Sequence, residues 1–209
     1  MNIIVKQWSE DIEIYDYHIE DILSLIKNAY AERAKDGISF ATLKYSLTEF
    51  LNERTDDDYW FLAFDNNHLL CGTARLTIIG RRGEICNFAV LPNSQGKHVG
   101  RQLLQTVNQF AKERNLDFVM SYTAMKAKSS VKCHCNNGFQ ITGIVVGLNR
   151  DYSSYIFRNQ ITPSFLFNSP FVKYRYYISI LKYKLLKNKN GQNTILGNLA
   201  LYIKNLIVI

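Results

Sequence analysis

Apolar and polar positions along this chain change period several times, and each change marks an element. Residues 2–8 (Asn-Ile-Ile-Val-Lys-Gln-Trp) read as a first strand. Ile19, Ile22, Leu23, Leu25, Ile26 and Tyr30 recur at the spacing of one helix face and predict a helix over 18–33. Gly37 breaks it. Leu43, Leu47 and Leu51, four residues apart, predict a second helix over 41–53. The period then changes. Two runs, 59–64 and 68–79, flank the turn Asp65-Asn66-Asn67 and predict a hairpin. After a second turn at 80–83, residues 84–91 predict a third consecutive strand, stopped by Pro92.

Beyond the loop 93–96 the helical period returns. Val99, Leu103, Leu104, Val107, Phe110 and Ala111 form one apolar stripe. Arg101, Gln102, Gln105, Asn108, Gln109 and Lys112 fall outside it. A strand at 117–123 and a short helix at 129–136 follow, the helix ended by Asn137-Gly138. Segments 139–146 and 152–157 read as a closing pair of strands. From 172 to 187 an aromatic and basic helix is expected, broken at Gly191, and 195–209 reads as an apolar helix or strand.

Composition narrows the class. With 209 residues, 47% hydrophobic and 21% charged, the chain can bury one good core, and bulk disorder is excluded. The first residues lack the long apolar run of a signal peptide. The late apolar stretch contains Lys204 and falls short of the roughly 20 residues a spanning helix needs. A cytoplasmic location is therefore expected. Cys71, Cys86, Cys133 and Cys135 form no Cys-x-x-Cys pair, so reduced thiols are expected. Cys133-His134-Cys135 has no second ligand cluster to complete a metal site, and no metal is expected.

The charge is uneven. Residues 1–151 hold all 18 acids and 17 of the 25 Lys and Arg residues, a net of −1. Residues 152–209 hold no acid and eight bases: Arg158, Lys173, Arg175, Lys182, Lys184, Lys187, Lys189 and Lys204. The formal +7 belongs to that last quarter, which points to an anionic partner or a separate element.

The stretch with chemical content is the strand, loop and helix from 84 to 112. The first N–H groups of a helix lack internal partners and sit at the positive end of its dipole, so they form an anion site. Gly96 and Gly100 let backbone approach a ligand, and Lys97, His98 and Arg101 add donors. A pyrophosphate suits this set. The spacing is neither that of a P-loop nor that of the dinucleotide Gly-x-Gly-x-x-Gly fingerprint.

The full string, Ala-Val-Leu-Pro-Asn-Ser-Gln-Gly-Lys-His-Val-Gly-Arg-Gln-Leu-Leu over 89–104, resembles the coenzyme A-binding motif of the GNAT superfamily of acetyltransferases. Gln95, Gly100, Leu103 and Leu104 match that motif and Gly96 matches a common variant, whereas His98 stands where its first glycine is usual. Gly138-Phe139 looks like the family's closing Gly-Phe, and the element order is the family's order. The resemblance covers roughly residues 1–160. It implies an α/β (α+β) fold: a mixed, mostly antiparallel twisted sheet of about seven strands flanked by helices. Residues 161–209 go beyond the usual family fold and are read from their own pattern as a C-terminal helical extension.

The resemblance also implies acetyl-coenzyme A as acyl donor, held by Phe88, Ala89, Val90, Gln95, Gly96, Lys97, His98, Val99, Gly100 and Arg101. It implies that the strand ending at Val90 parts from its neighbour and turns backbone N–H groups to the thioester. Glu84 is similar in position to the carboxylate that some members use as general base, a role that needs partial burial; the alternative is a solvated strand-start residue. His134, four residues before Gly138, stands where many relatives place the tyrosine that protonates the leaving thiolate; the alternative is a packed structural histidine. Ser121 and Tyr122 are candidates for the acyl channel. Acceptor recognition would fall to Tyr30, Glu32, Arg33, Lys35, Asp36, Phe40 and Tyr45, with Glu32 or Asp36 meeting a cationic amine.

The expected activity is transfer of an acetyl group to a primary amine of a small metabolite, amino sugar or peptide. The alternative is a catalytically silent protein that binds coenzyme A, or an anionic surface through its basic extension. In that extension Phe165, Phe167, Phe171, Tyr174, Tyr176, Tyr177 and the following aliphatics interleave with lysines. Three readings stay open: contact with a membrane surface or polyanion through 171–189, a homodimer or lid element, or an extra helical pair packed on the domain. The bases form no recognised nucleic-acid motif.

Overall fold

A computed structural model describes residues 3–8, 17–147, 152–162, 170–188 and 190–207 of the chain. Phe165, Phe167 and Lys189 lie outside the described residues. Seven strands form one sheet: β1 (Ile4–Trp8), β2 (Asp58–Phe64), β3 (Leu70–Ile79), β4 (Arg82–Val90), β5 (Phe118–Ala124), β6 (Gln140–Val145) and β7 (Ser154–Gln160). Their spatial order is β1-β2-β3-β4-β5-β7-β6. All neighbours pair antiparallel except β4 and β5, which run parallel.

Helices cover both faces. Helices α1 (Ile19–Ala34) and α2 (Leu47–Asn52) lie on one, and α3 (Val99–Glu113) and α4 (Lys128–Cys135) on the other. This explains why β2 is a continuous apolar run: Trp60, Leu62 and Phe64 join the core under α1, while Phe61 and Ala63 join the core under α3. In α3, all six stripe residues are buried. The loop before α3 is therefore anchored at its helical end by packing that tolerates little shift.

The segment 41–53 differs from the single helix its leucine spacing predicts. It forms a short 3-10 turn (Ala41–Lys44), then α2. The break is local chemistry: the Ser46 hydroxyl accepts from the Glu49 N–H at 3.2 Å, and the Glu49 carboxylate accepts from the Ser46 N–H at 2.7 Å. This capping box starts a new helix inside the leucine period.

The extension forms two helices, α5 (Pro170–Leu186) and α6 (Ile195–Ile207). Helix α5 packs on β6, where the Ser179 hydroxyl accepts from the Ile144 N–H at 3.0 Å. Helix α6 packs on α5. Gly197 makes that crossing close, since a Cβ there would lie 2.2 Å from the Leu186 carbonyl oxygen. No helix among the described residues is long and apolar enough to cross a membrane.

Candidate functional site

Strand β4 does two things that shape the site. It carries a bulge: between Thr73 and Arg75 of β3 the partners jump from Ala89 to Cys86, with Asn87 at φ +48°. Side chains alternate along a strand, so one extra residue resets which face each side chain takes. Ile85 packs under α3, which leaves Glu84 and Cys86 on the α1 side; beyond the bulge Phe88 and Val90 pack against the α3 core and Ala89 against the α1 core.

Strand β4 also leaves β5. Their parallel pairing runs from Arg82–Phe118 to Ile85–Ser121 and ends there. Past that point β4 stays on β3, and β5 stays on β7 to Ala124. The backbone edges of residues 86–90 and 122–124 are left unpaired with each other, and the strands open into a cleft.

The loop after β4 closes one end of the cleft. Gly96 has φ +77° and His98, the residue before α3, has φ +67°. The left-handed region favours glycine and costs another residue roughly 1–2 kcal/mol. His98 accepts that strain, and its own carbonyl takes the first helical hydrogen bond, from Gln102 N–H at 3.0 Å. The Gln95 side chain pins the loop: its amide donates to the Val90 carbonyl at 3.2 Å, and its oxygen accepts from Arg33 at 3.3 Å. Arg33 also reaches the Ser129 hydroxyl on α4.

The result is a cavity of about 540 Å³ whose lining includes Phe88, Ala89, Val90, Gln95, Gly96, His98, Val99, Gly100 and Arg101. Nine of the ten residues expected to hold the cofactor thus surround one space. Lys97 is the exception; it is exposed, outside the lining, and its charge is felt at the Cys71 thiol. Gly100 serves packing as much as ligand approach, since a Cβ there would lie 3.2 Å from both Cys133 Sγ and Phe88 Cζ.

The opposite wall comes from residues outside the expected cofactor set. Ser129, Ser130, Lys132, Cys133, Asn136 and Asn137 line the cavity from α4 and its end. Tyr30 and Arg33, expected to meet the acceptor, line the same cavity from α1. Burial pushes the Tyr30 hydroxyl well above its ordinary range, and its ring stacks on Phe40 at 4.2 Å. Glu32 and Asp36 sit outside the lining; Glu32 pairs with Lys35 at 2.6 Å.

The two candidate catalytic residues are not brought together. Glu84 lies half-buried on the α1 side, abreast of Met120 and Arg158 across β4, β5 and β7. Register partners share a face. Tyr122 and Cys86 lie near enough to feel the Glu84 charge, and Tyr122 also feels Arg82 and Arg158. Glu84 is outside the cavity lining, on the sheet face next to the cleft.

His134 differs from the expected proton donor. It is fully buried, with its ring 5.1–5.3 Å from those of Phe88, Phe139 and Phe157. Its Nδ1 lies 2.9 Å from the Ser130 carbonyl oxygen, which can only accept, so Nδ1 carries the ring proton. Burial lowers its pKa to about 4. Neutral and protonated only on Nδ1, the ring has no Nε2 proton to give, and Nε2 itself is buried without a partner. It does not line the cavity. Among the described residues no group of three or more His, Cys, Asp or Glu side chains is placed to hold a metal ion.

A family model described as the acetyltransferase (GNAT) family matches residues 19–139, more than half of the chain. Among solved structures, the chain is similar to the ribosomal-protein-S18-alanine N-acetyltransferase from Escherichia coli, with TM-score 0.62 and 14% identity over 78% of this chain and 96% of that one. It is similar to the PaiA N-acetyltransferase from Thermoplasma acidophilum in complex with coenzyme A, with TM-score 0.59 and 21% identity over 77% and 99%. A spermidine N-acetyltransferase chimera from Vibrio cholerae and hSSAT gives TM-score 0.59 and 18% identity over 76% and 95%. At these identities the structural likeness speaks for the fold. No curated protein matches the chain significantly in sequence.

Proposed function

The chain belongs to the GNAT family of acetyltransferases, and on that premise we propose that it moves an acetyl group from acetyl-coenzyme A to a primary amine on a small molecule or peptide. The observation that carries this reading is the meeting of three features in one cavity: the parting of β4 and β5, the positive-φ loop, and the start of α3. The residues fit the cofactor. The first-turn N–H groups from Val99 to Arg101, with the Arg101 and His98 side chains, suit a pyrophosphate. The free edge of β4 suits the pantetheine arm and the thioester carbonyl.

When bound, acetyl-coenzyme A supplies an activated acyl group and a sulfur leaving group. The chain's part is to orient and to move a proton. Glu84, half-buried on the acceptor side of the opening, is the group we assign to take the proton from the amine, directly or through water. The proton that Glu84 takes from the nitrogen would balance the one that the departing thiolate needs, so the transfer would leave no net proton gained or lost. His134 is assigned to the wall behind the cofactor, because its one proton is held by Ser130.

Calorimetry with acetyl-coenzyme A tests the cofactor assignment; micromolar affinity, about −8 kcal/mol, is expected. An amine library read by thiol release then tests turnover. Glu84→Gln is expected to lower kcat about a hundredfold or more and to leave acetyl-coenzyme A affinity unchanged. Unchanged kcat would remove Glu84 from the chemistry. Tight binding with no thiol release from any amine would favour the silent coenzyme A-binding protein instead.

A further inference from the structure

We propose that the α5–α6 hairpin is a docking surface for an anionic lipid bilayer. The proposal is independent of the acyl-transfer reading. Helix α5 is apolar on two opposite sides. Tyr176, Ser179, Ile180 and Tyr183 turn toward β6 and are partly buried. On the other side Tyr174, Ile178, Leu181 and Leu185 fall within an arc of about 60° at 3.6 residues per turn. All four are exposed, Leu181 by 58%.

Helix α6 adds Ile195, Leu196 and Leu199, exposed by 89%, 54% and 53%. The two exposed stripes meet in a groove of about 530 Å³, whose walls include Ile178, Leu181, Leu185, Leu196, Leu199 and Ala200. Contiguous apolar surface of this kind marks an interaction site.

Charge selects the occupant. Around α5, Arg175 and Lys182 border the exposed stripe on one side, and Lys173 and Lys184 border it on the other. All four are exposed. This is the cross-section of a helix lying flat in a bilayer interface: an apolar centre with long cationic side chains reaching outward to phosphates on both flanks. Residues 152–209 contain no acid to answer these bases. A second copy docked face to face would set like charges together, whereas an anionic surface complements both rims. At 17 and 13 residues, α5 and α6 suit lying on the surface rather than crossing it.

The test is flotation of the full chain with two vesicle types: phosphatidylcholine alone, and phosphatidylcholine with one third phosphatidylglycerol. We expect flotation with the anionic vesicles only, weakening as salt rises. Joint replacement Lys173→Gln, Arg175→Gln, Lys182→Gln and Lys184→Gln should lower the partition coefficient about fivefold per charge. Leu181→Glu with Leu185→Glu should abolish flotation. All six positions are exposed, so unfolding temperature and near-ultraviolet dichroism should stay those of the parent. No flotation with anionic vesicles, or equal flotation with both types, overturns the proposal. So does a dimer in sedimentation that Leu181→Glu dissociates while vesicles bind neither form; that face would then belong to a second copy.

Discussion

Helices α3 and α5 both carry apolar residues at helical spacing, but the sheet treats them differently. Above β1 to β4, α3 finds a broad apolar surface and loses its whole stripe to the core. Helix α5 sits on β6, the last strand of the sheet, and has α6 for its other neighbour. One strip of it is covered, and Tyr174, Tyr177, Ile178, Leu181 and Leu185 remain at the surface. Helical periodicity says that a side wants cover; the area of sheet beneath decides whether cover exists. Function follows the same division. On the proposed readings, the start of α3 must be fixed to present N–H groups at one place, whereas the exposed outer side of α5 is left to meet a partner.

Four measurements would break or sharpen this contrast. The largest effect is expected at Leu104, fully buried in α3. Leu104→Ala should destabilise the chain by roughly 2–5 kcal/mol in denaturant unfolding, because it leaves a cavity in close-packed surroundings. A cost well under 1 kcal/mol would mean that the α3 core is loosely packed and the contrast overstated.

Next is His134, which belongs to the buried half. Its folded pKa is depressed from 6.5 to about 4, so the unfolded chain binds its proton first as pH falls. The stability from burying the neutral ring is present above pH 6.5 and is lost progressively down to about pH 4. That loss should reach about 3 kcal/mol at most. His134→Phe should remove this component from the stability–pH curve, read as the difference between variant and parent. The same variant should keep turnover; complete loss of kcat with acetyl-coenzyme A affinity intact would restore His134 to the chemistry.

His98→Gly should have a smaller effect. Relief of the left-handed strain, less the entropy a glycine adds to the unfolded chain, should give a net gain of about 0.5–1 kcal/mol. Because His98 also lines the cavity, acetyl-coenzyme A affinity should fall severalfold; a gain in affinity would show that the imidazole crowds the pyrophosphate. The smallest effect is expected at Leu181 on the outer side of α5. Leu181→Ala should change stability by less than about 0.5 kcal/mol, because little is buried there to lose. A cost near that of Leu104→Ala would mean that something covers the α5 stripe in solution.

Much of the site was legible in the chain because it is built from contiguous residues. Phe88 to Arg101 runs as strand end, loop and helix start, and nine of the ten expected contacts surround the cavity. Lys97 was read from proximity in sequence, but the turn through Gly96 and His98 carries it outside. The α4 wall was not legible, since Ser129, Ser130 and Lys132 are ordinary polar residues in a short helix and Asn137 lies in the turn after it. They matter only because β5 delivers α4 to the far side of the cleft, where Arg33 of α1 reaches Ser129. The break at Ser46 is invisible to the leucine spacing, because that spacing runs unbroken across it; the Ser46–Glu49 capping box that starts α2 emerges from the structure.

What the sequence determined by itself is therefore local and periodic. It set the strand and helix order, the glycine-bearing loop before α3, the family likeness carried by residues 89–104, and the gathering of bases after residue 152. These follow from near-neighbour backbone preference and from side-chain spacing, which need no knowledge of the fold. Only the tertiary structure decided where β4 leaves β5, that His134 is walled in by three aromatic rings with its one proton spent on Ser130, and that half of α5 stays uncovered. Each depends on which distant surface lies opposite, and burial, which sets both the histidine's charge state and the helix's exposed stripe, is a property of that pairing and not of any single segment.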